Sequence, residues 1–536
     1  MAYASEYLSA VVQRGRVKMP PHGFEPNWAD APRYGKLYPG APLFPLPPGD
    51  MPEGAALQEG LLPPLPEGGA FDLDTLSGML LDSYGRLGRR IELNANDDVT
   101  RLHTYTAAKW TRGTASGGGL YPVSLYWVSG ASGPMTPGVY YYATPHHAMQ
   151  RLLTGDVSEE VRAALGHPQL GAETDQFLVL GIKFWQSSFK YNNFSYHATT
   201  MDIGTVTQTW RMWARARGLN IAPAFWFDER RLTRLLGVDG DEEGIFAVVP
   251  LPWGGSGSKS AQAPASYGAE GVRAPAVRLR DQDRSRVQLT FELLRKVHAD
   301  TREGATERPA AAQLEAAAPL PPRDGGTTAL PAPRTLGMPV RDALRARRSS
   351  FGRFSGEQPL AADELSAVLA AAHAGGELPC DALEPGEGLS LAKLYVFVNH
   401  VDGVAPGAYE YDPAGGRLVT VVPGPQGSFL QRNYFLSNYN VEQAAAVVVP
   451  AVRGQALIGA VGGRGFRVSN AVTGAVAQAT YTACAALGVG CGAALGFDNV
   501  SYIEQLGLDA TGEVPLLILM VGHERPNPAG LRHEIV

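Results

Sequence analysis

The sequence predicts an α+β protein built from two copies of one domain, each with a central mixed sheet flanked by helices. Two observations lead to this prediction. Apolar strands, a PGxY turn and one long helix recur in the same order in both halves of the chain. The halves also align at a nearly constant offset in the numbering, which is 269 for Tyr126 and Tyr395. An offset of 270 relates the pairs Gly204 and Gly474, Gln208 and Gln478, Gly218 and Gly488, and Gly237 and Gly507. Such regular spacing indicates an internal duplication.

Composition limits the kinds of binding partner that are expected and indicates the cellular compartment. The chain has 536 residues, 45% of them hydrophobic, and a formal net charge of −6, which favours neither nucleic acid nor an anionic membrane as partner. Neither a signal peptide nor an apolar run long enough to cross a bilayer is expected, so the sequence predicts a cytoplasmic protein. Cys380, Cys484 and Cys491 lack metal-ligand spacing and are expected to be small buried thiols, and no metal site is predicted.

The predicted organisation has four parts. An N-terminal arm covers residues 1–70, a first domain 71–255, a linker 256–335 and a second domain 336–536. Both ends of the linker are rich in small residues and Pro, and "DQDRSRVQLTFELLRKVHADT" within it predicts one helix. The arm contains many Pro and aromatic residues. Three placements are open for it: around the other domain, against a second protein, or on its own domain.

The stretch "RGTASGGGLYPVSLYWV", residues 112–128, places Ser116 and three glycines just before a predicted strand. One interpretation is a tight turn, since glycines tolerate backbone angles that other residues avoid. The other is a segment whose backbone must lie close to a ligand, with no Cβ in the way and N–H groups free to donate. The stretch alone does not decide between them.

Candidate binding groups occur in the second domain. Arg345, Arg347, Arg348 and Ser349 precede a predicted helix, and guanidinium groups with a hydroxyl suit a phosphate. Arg525 follows a strand near the end of the chain, and "GVGCGAALGFDN", which contains Leu495 and Gly496, is a second place where backbone can approach a ligand. The alternative is a solvated basic turn and surface arginines.

The first domain carries a candidate base. Lys190 and Tyr191 are adjacent in "WQSSFKYNNFSYHATTMDIG". A lysine removed from water can act as a general base, and a phenol beside a cation becomes more acidic. The alternative is a surface pair. Asp202 is expected to cap the following helix, and His197 to make a polar contact that the sequence does not assign.

Taken together, "RRSS" followed by "PLAADELSAVL", "SGGGLYP", "PGxYxY" and the Lys-Tyr segment resemble the nitroreductase superfamily, specifically its SagB-type azoline dehydrogenases. The resemblance covers both copies. It implies FMN bound at a two-fold interface, here formed within one chain as a pseudo-dimer. It also implies that FMN contacts Arg347, Arg348, Ser349, Arg525, Leu495, Gly496, Ser116, Gly117 and Gly118, with Lys190 and Tyr191 as catalytic residues.

The two copies have complementary deficits under this resemblance. The segment before "LDTLSGMLL" has no arginine, and the offset of 270 places Ala460 and Val461 opposite Lys190 and Tyr191. The second copy of the loop has Pro385 and Glu387 where the first has Ser116 and Gly118. One complete site and one FMN per chain are therefore expected.

The activity implied by the resemblance is oxidation of peptide thiazolines or oxazolines to azoles. The implied substrate is a modified precursor peptide, and a cyclodehydratase complex and further oligomerisation are open. Lys190 or Tyr191 would remove the Cα proton. Two other functions are also open: a flavin oxidoreductase of the same fold that acts on a small molecule, and a non-catalytic flavin-bound scaffold.

Overall fold

The computed structural model describes residues 2–49, 54–62, 68–94, 104–105, 109–255, 275–383, 390–526 and 530–534. The first half contains α1 (Tyr3–Gln13), β1 (Leu43–Pro45), α2 (Leu57–Leu61), α3 (Leu73–Tyr84), β2 (Gly88–Asn94), β3 (Thr104–Tyr105), β4 (Lys109–Thr111), β5 (Val123–Ser129), β6 (Gly138–Ala143), β7 (Ala148–Thr154), α4 (Ser158–Leu165), β8 (Gln176–Lys183), α5 (Trp185–Tyr191), α6 (Ser195–Arg215), α7 (Glu229–Leu235) and β9 (Glu243–Pro250).

The second half contains α8 (Glu292–Arg302), α9 (Ala311–Glu315), β10 (Thr327–Ala329), α10 (Val340–Ala346), α11 (Ala362–Gly376), β11 (Ala392–Val398), β12 (Gly407–Asp412), β13 (Arg417–Pro423), α12 (Gly427–Arg432), β14 (Ala446–Val452), α13 (Gly454–Val461), α14 (Arg464–Leu487), β15 (Gly490–Ala494), α15 (Asn499–Leu506), β16 (Val514–Pro515), β17 (Ile518–Gly522) and β18 (Gly530–Glu534). Short 3-10 helices cover Trp28–Asp30, Gly117–Gly119, Asn192–Phe194 and Val441–Gln443.

Each half has its own sheet, as the duplication predicts. The strand orders are β1-β7-β6-β5-β8-β9 and β10-β13-β12-β11-β14-β17-β15, and β16 pairs with β14. Even an irregularity repeats, because the register shifts at Val139/Tyr140 between β6 and β7 and at Ala408/Tyr409 between β12 and β13. These two positions have the same offset as Tyr126 and Tyr395, so the spacing found in the sequence is confirmed as structural equivalence.

The sheets differ from the predicted mixed type. Within the described residues, every strand ladder in the two large sheets is antiparallel, and parallel pairing is confined to the isolated bridges Phe71–Trp253 and Leu360–Val401. The reason is local, since β5, β6 and β7, like β11, β12 and β13, are joined by short turns that reverse the chain.

Helices α6 and α14 pack against each other at the centre of the molecule. A Cβ built on Gly204 would lie 1.8 Å from the carbonyl oxygen of Ala471, and a Cβ on Gly474 would lie 2.0 Å from that of Met201. The offset of 270 exchanges these two contacts, which is the pattern of a two-fold axis. The predicted pseudo-dimer within one chain is confirmed, and glycine is required wherever its helices cross this closely.

Buried ion pairs also connect the first half of the chain with the second half. Glu229 of α7 lies 3.0 Å from Nη1 of Arg467 on α14, and the same arginine donates to the hydroxyl oxygens of Tyr196 and Thr301. Arg464, one turn earlier, lies 3.4 Å from Glu229. Because all of these groups are buried, loss of one partner would leave an unpaired charge without water.

The predicted arm and linker are structurally equivalent segments. Strand β1 pairs with the edge of the first sheet, and β10 pairs at the matching edge of the second. Leu57 N donates to Met338 O and Val340 N donates to Ala55 O, so α2 and α10 begin in a reciprocal contact. The predicted linker helix is confirmed as α8, but the prediction of only one helix is wrong, because α9 and β10 follow it.

The first of the three placements left open for the arm is observed for α1. This helix contacts α13, α14 and α15 of the second half, and it also packs along α8. Tyr7 Oη donates to Asn193 O, and Ala4 N donates to Asp300 Oδ2 at 2.8 Å. Each repeat therefore supplies an N-terminal segment that reaches the other repeat.

A small third sheet lies beside the first repeat. Strand β2 pairs with β18, β4 and β3, all antiparallel, so the last described strand of the chain returns to an insertion between α3 and β5. Strand β4 ends at Thr111, immediately before the glycine-rich segment. The sheet therefore adjoins the region where the sequence predicts ligand contacts.

Two expectations from composition can be compared with the described residues. Cys380, Cys484 and Cys491 are free and buried, as predicted. None of the helices described is long and apolar enough to cross a membrane.

Candidate active site

The glycine-rich segment is a strained loop that touches the predicted catalytic pair. Gly118 and Gly119 have φ values of 64° and 67°, in the region that favours glycine. A Cβ on Gly118 would lie 2.1 Å from Tyr191 Oη and 3.0 Å from Lys190 Nζ, whereas a Cβ on Gly119 would meet nothing within 4 Å. Glycine is therefore needed at 118 for two reasons, backbone angle and space, and at 119 only for the first.

Helix α6 holds this loop from one side. Asp202 accepts from Ser116 Oγ at 2.6 Å and from Gly117 N at 2.9 Å, and Thr205 Oγ1 donates to Ala115 O at 2.9 Å. The prediction that Asp202 caps a helix is wrong, because α6 begins at Ser195 and Asp202 lies two turns inside it. Burial raises the pKa of Asp202 to about 7, against the lowering effect of its hydrogen bonds from Ser116 and Gly117.

The second repeat holds the same loop from the other side. Arg347 donates through Nε to Gly113 O at 2.8 Å and through Nη2 to Arg112 O at 2.9 Å. Gln478 Oε1 accepts from Ala115 N at 2.8 Å, and its Nε2 donates to Gly113 O at 3.1 Å. Arg347 thus contacts the loop directly, a role that the sequence did not suggest, and its contact with a phosphate stays a prediction.

Lys190 and Tyr191 end helix α5, where both side chains are half-buried. The Lys190 ammonium lies 4.7 Å from the centre of the Tyr191 ring. Both Nζ and the phenol oxygen lie within about 3 Å of one point, the position of a Cβ on Gly118. The structure therefore brings the predicted base pair and the glycine loop to one place.

A group of arginines surrounds one carboxylate at the far side of the loop. Arg348 pairs with Glu524, and Arg353 lies 4.0 Å from the same carboxylate. Arg525 N donates to Arg353 O, and Arg353 Nη2 donates to Arg525 O at 2.9 Å. Two guanidinium groups thus lie at one carboxylate, and the backbone of Arg525 joins them; guanidinium groups are suited to bind phosphate.

Hydroxyl groups and backbone complete this side of the site. Ser349 Oγ is 3.0 Å from Tyr481 Oη, which also accepts from Ala493 N. Ser350 Oγ is buried without a hydrogen-bond partner in the described part of the chain. Such an orphaned hydroxyl next to the arginine cluster is compatible with a polar ligand there.

Leu495 and Gly496 follow β15 at the edge of the second sheet. Gly496 O accepts from Phe435 N at 2.8 Å, and a Cβ on Gly496 would lie 3.0 Å from Leu436. Phe435 and Leu436 are themselves about half exposed. The predicted backbone contacts at Leu495 and Gly496 thus lie beside an exposed apolar pair that the sequence did not single out.

The mirror position lacks the same groups. Helix α13 occupies the place of α5 and ends at Ala460 and Val461 instead of Lys190 and Tyr191. Gln208, the counterpart of Gln478, is buried with neither amide atom hydrogen-bonded among the described residues. Pro385 and Glu387 lie outside the described residues. The described parts of the two sites are therefore unequal.

His197 belongs to the core and not to the group around Gly118. Its side chain is fully buried on α6, packs against Phe194 and Phe466, and has neither ring nitrogen hydrogen-bonded to another described residue. Burial lowers the pKa of His197 to about 3, so the ring is neutral. Aromatic rings therefore form most of its surroundings, and the Asn470 side chain and the Leu516 backbone are its polar neighbours.

Comparisons with known proteins identify the fold. The nitroreductase family model matches residues 344–523. Two proteins that carry the name "putative nitroreductase" are similar to this chain. The one from Methanocaldococcus jannaschii is 29% identical over 201 residues, which are 37% of this chain and 98% of the relative. The crystal structure of the one from Anabaena variabilis has a TM-score of 0.69 at 20% identity and covers 98% of this chain and 100% of its own.

A third similarity is much smaller. The microcin synthetase McbBCD complex of E. coli superposes with a TM-score of 0.28 at 15% identity, over 33% of this chain and 69% of its own. The tandem fold itself is established by the Anabaena structure, because that similarity extends over nearly the whole chain. The nitroreductase family model thus matches one third of the chain, residues 344–523, and the fold of the whole chain is similar to that of the Anabaena structure.

Proposed function

We propose that this chain is an FMN-dependent dehydrogenase that oxidises thiazolines or oxazolines in a modified precursor peptide to the aromatic azoles. The observation that carries the proposal is the meeting of Lys190 Nζ and Tyr191 Oη at Gly118. The oxidation needs a group that removes a carbon-bound proton beside a flat cofactor, and a basic pair against a glycine backbone offers that combination.

The residues present fit FMN. The cluster of Arg348, Arg353 and Arg525 would hold the phosphate, with hydroxyl groups of Ser349 and Ser350 nearby. The backbone of Ser116–Gly118 would lie against the ring system, where side chains larger than glycine do not fit. Leu495 and Gly496 would contribute backbone contacts. Bound FMN supplies the acceptor for the two electrons and the hydrogen that leave the azoline ring.

Side chains of the protein would remove the Cα proton and stabilise the charge that results. In its neutral form, Lys190 can take the proton from Cα of the azoline residue, and the Tyr191 phenol can donate a hydrogen bond to the charge that develops; the reverse assignment is equally compatible with the geometry. The loss of a proton from Cα and a hydride from Cβ forms the Cα=Cβ bond, which is the second double bond of the ring. The gain in aromaticity favours this direction.

One productive site per chain is proposed, with ligands divided between the repeats. Arg347 and Gln478 of the second repeat fix the loop of the first, so neither repeat forms the site alone. The peptide is the proposed substrate. A complex with the cyclodehydratase that makes the azoline, and association of the tandem chains, remain part of this proposal.

The test is a direct turnover assay. The full chain loaded with FMN is incubated with a peptide that contains a single thiazoline, and products are measured by mass spectrometry. We expect loss of two hydrogens per ring, and we expect Lys190→Ala to abolish it while retaining FMN. Absence of turnover by the FMN-loaded wild type with both thiazoline and oxazoline peptides would contradict the proposal.

Two other functions give different results in the same assay. A small-molecule oxidoreductase would leave the peptide unchanged and would bleach bound FMN with reduced nicotinamide. A non-catalytic scaffold would do neither, although it would bind FMN. The placement of Lys190 and Tyr191 against Gly118 favours catalysis over the scaffold.

A further inference from the structure

A second cavity lies outside the site described above. It has a volume of about 480 Å³ and lies between the N-terminal arm and α5. Its wall includes Trp28, residues 31–37, Arg86, Gln186, Phe189 and Arg284. This volume is within the range of small-ligand sites in proteins.

The cavity adjoins the candidate catalytic pair. Gln186 precedes Lys190 by one turn of α5, so their Cβ atoms are about 6 Å apart, and Phe189 directly precedes Lys190. Arg86, on the opposite wall, is close enough to Arg112 for the two charges to interact: burial and the charge of Arg112 both lower the pKa of Arg86. Arg112 begins the loop that Arg347 holds. A peptide substrate bound at Lys190 can therefore extend into this cavity.

The wall carries three arginines, and the Asp30 carboxylate near it interacts with the charge of Arg284. Of the described residues that form it, none is acidic, while Arg33, Arg86 and Arg284 all contribute guanidinium groups. Lys36 is neutralised by its ion pair with Glu243. Within the described part of the chain, none of the three arginines lies in ion-pair contact with a carboxylate, and Arg86 Nε is buried without a hydrogen-bond partner. Guanidinium groups so arranged are complementary to carboxylates.

Aromatic surface completes the wall. Trp28 and Tyr34 are 55% and 54% exposed, and Trp28 packs edge-on against Phe189 at 5.1 Å. Large exposed aromatic groups next to cations are typical of surfaces that bind peptides. We propose that this cavity binds an acidic segment of the peptide substrate, with Arg33, Arg86 and Arg284 receiving its carboxylates. The assignment of a peptide as ligand rests on the proposed function.

Binding is tested apart from catalysis. The full chain is titrated calorimetrically with tetraglutamate and with tetraglutamine, both acetylated and amidated at their ends. The variants are Arg86→Gln and the double variant Arg33→Gln/Arg284→Gln, with Arg230→Gln as control. Arg230 is exposed on α7 and lies outside the wall of the cavity. Circular dichroism checks that each variant is folded, and Arg86→Lys replaces Arg86→Gln if the latter is not.

We expect wild type to bind tetraglutamate at least about tenfold more tightly than tetraglutamine, and we expect this preference to fall as salt rises. The double variant should lose most of the preference, and Arg230→Gln should keep it. Equal affinity for the two peptides, or equal loss in Arg230→Gln, would overturn the inference. Because no azoline is present, the proposed oxidation can fail while this binding succeeds, and the reverse result is equally distinguishable.

Discussion

Gln478 and Gln208 occupy equivalent positions on the two central helices, yet their surroundings differ. Gln478 bridges Ala115 N and Gly113 O, whereas both amide atoms of Gln208 are buried without a hydrogen-bond partner in the described residues. The pair Lys190 and Tyr191 likewise differs from its counterpart, Ala460 and Val461. Duplication gave both repeats the same scaffold, while among the described residues the contacts that hold a loop against a Lys-Tyr pair are those of the first repeat.

This difference shows that two fused repeats can keep the same fold while the side chains around their two sites change independently. In a true two-fold dimer, any change in one site appears in the other. Within a fused pair, Gly204 and Gly474 both preserve the helix crossing, while the groups around the two sites have diverged. Four substitutions, or matched pairs of substitutions, test the inequality of the two sites.

The largest effect is expected at the base pair. Lys190→Ala should lower kcat for azoline oxidation by about 10²–10⁴-fold, because the group that accepts the Cα proton is removed. FMN content, measured by absorbance, should not change. Val461→Ala, at the position equivalent to Tyr191 in the second repeat, is the control and should retain wild-type kcat. A Lys190→Ala enzyme with kcat close to wild type would contradict the assignment.

Two adjacent glycines give a matched pair. Gly118→Ala and Gly119→Ala both place alanine at positive φ, at a cost of about 1–2 kcal/mol each, but only the former adds a Cβ against Tyr191 and Lys190. We expect Gly118→Ala to lose about 10²-fold in kcat/KM and Gly119→Ala to lose much less. Steady-state kinetics on the two FMN-loaded variants measure this. Equal losses would indicate that backbone strain, and not contact with the catalytic pair, makes glycine necessary.

The equivalent glutamines give another pair. Gln478→Leu leaves the partly buried Ala115 N–H without its partner and removes one of the two donors to Gly113 O, so we expect it to reduce the free energy of unfolding by about 1–3 kcal/mol and to weaken FMN binding. Gln208→Leu removes an amide that has no hydrogen-bond partner among the described residues, and it should be neutral or stabilising. Denaturant unfolding and FMN titration compare them. Similar destabilisation by both substitutions would mean that the two sites are held alike.

The smallest effect concerns pH. Burial raises the pKa of Asp202 from 3.8 to about 7, so the folded chain binds this proton more tightly than the unfolded chain. The stability that this proton contributes is complete below about pH 4 and is lost as pH rises through 7. Asp202→Asn cannot titrate. Thermal unfolding should therefore show wild type losing stability relative to Asp202→Asn between pH 5 and about pH 8. A parallel dependence in both proteins would show that Asp202 does not titrate in this range.

The sequence predicted the duplicated fold because glycine and glutamine identities recur at fixed spacing along the central helices. It did not reveal that the linker repeats the arm, since the two segments share no such residues. Their offset also changes, because β1 begins at Leu43 and β10 at Thr327, further apart in the numbering than the equivalent residues of the central helices. The constant offset between equivalent residues is lost wherever one repeat contains an insertion that the other lacks. The equivalence of these segments appears only in their contacts.

Prediction of the candidate site was limited for a related reason. Residue type indicated that Lys190, Tyr191 and the glycines could act together, and the structure brings them together. Residue type could not show that Arg347 binds carbonyl groups of the other repeat, or that Asp202 binds Ser116 and not a helix end. Hydrogen bonds between distant segments leave no local pattern in a sequence. The match of Gln208 with Gln478 was the one available signal, and it did not indicate which of the two has partners.

The central claim is that the two repeats form one cofactor site and not two. The direct measurement is the amount of FMN bound per chain at saturation, by calorimetry and by absorbance of the purified protein, in wild type and in Arg348→Ala. We predict one FMN per chain in wild type and loss of binding in Arg348→Ala, whose guanidinium belongs to the cluster around Glu524. Two FMN per chain would contradict the claim of unequal sites, and no bound FMN would contradict the proposed function itself.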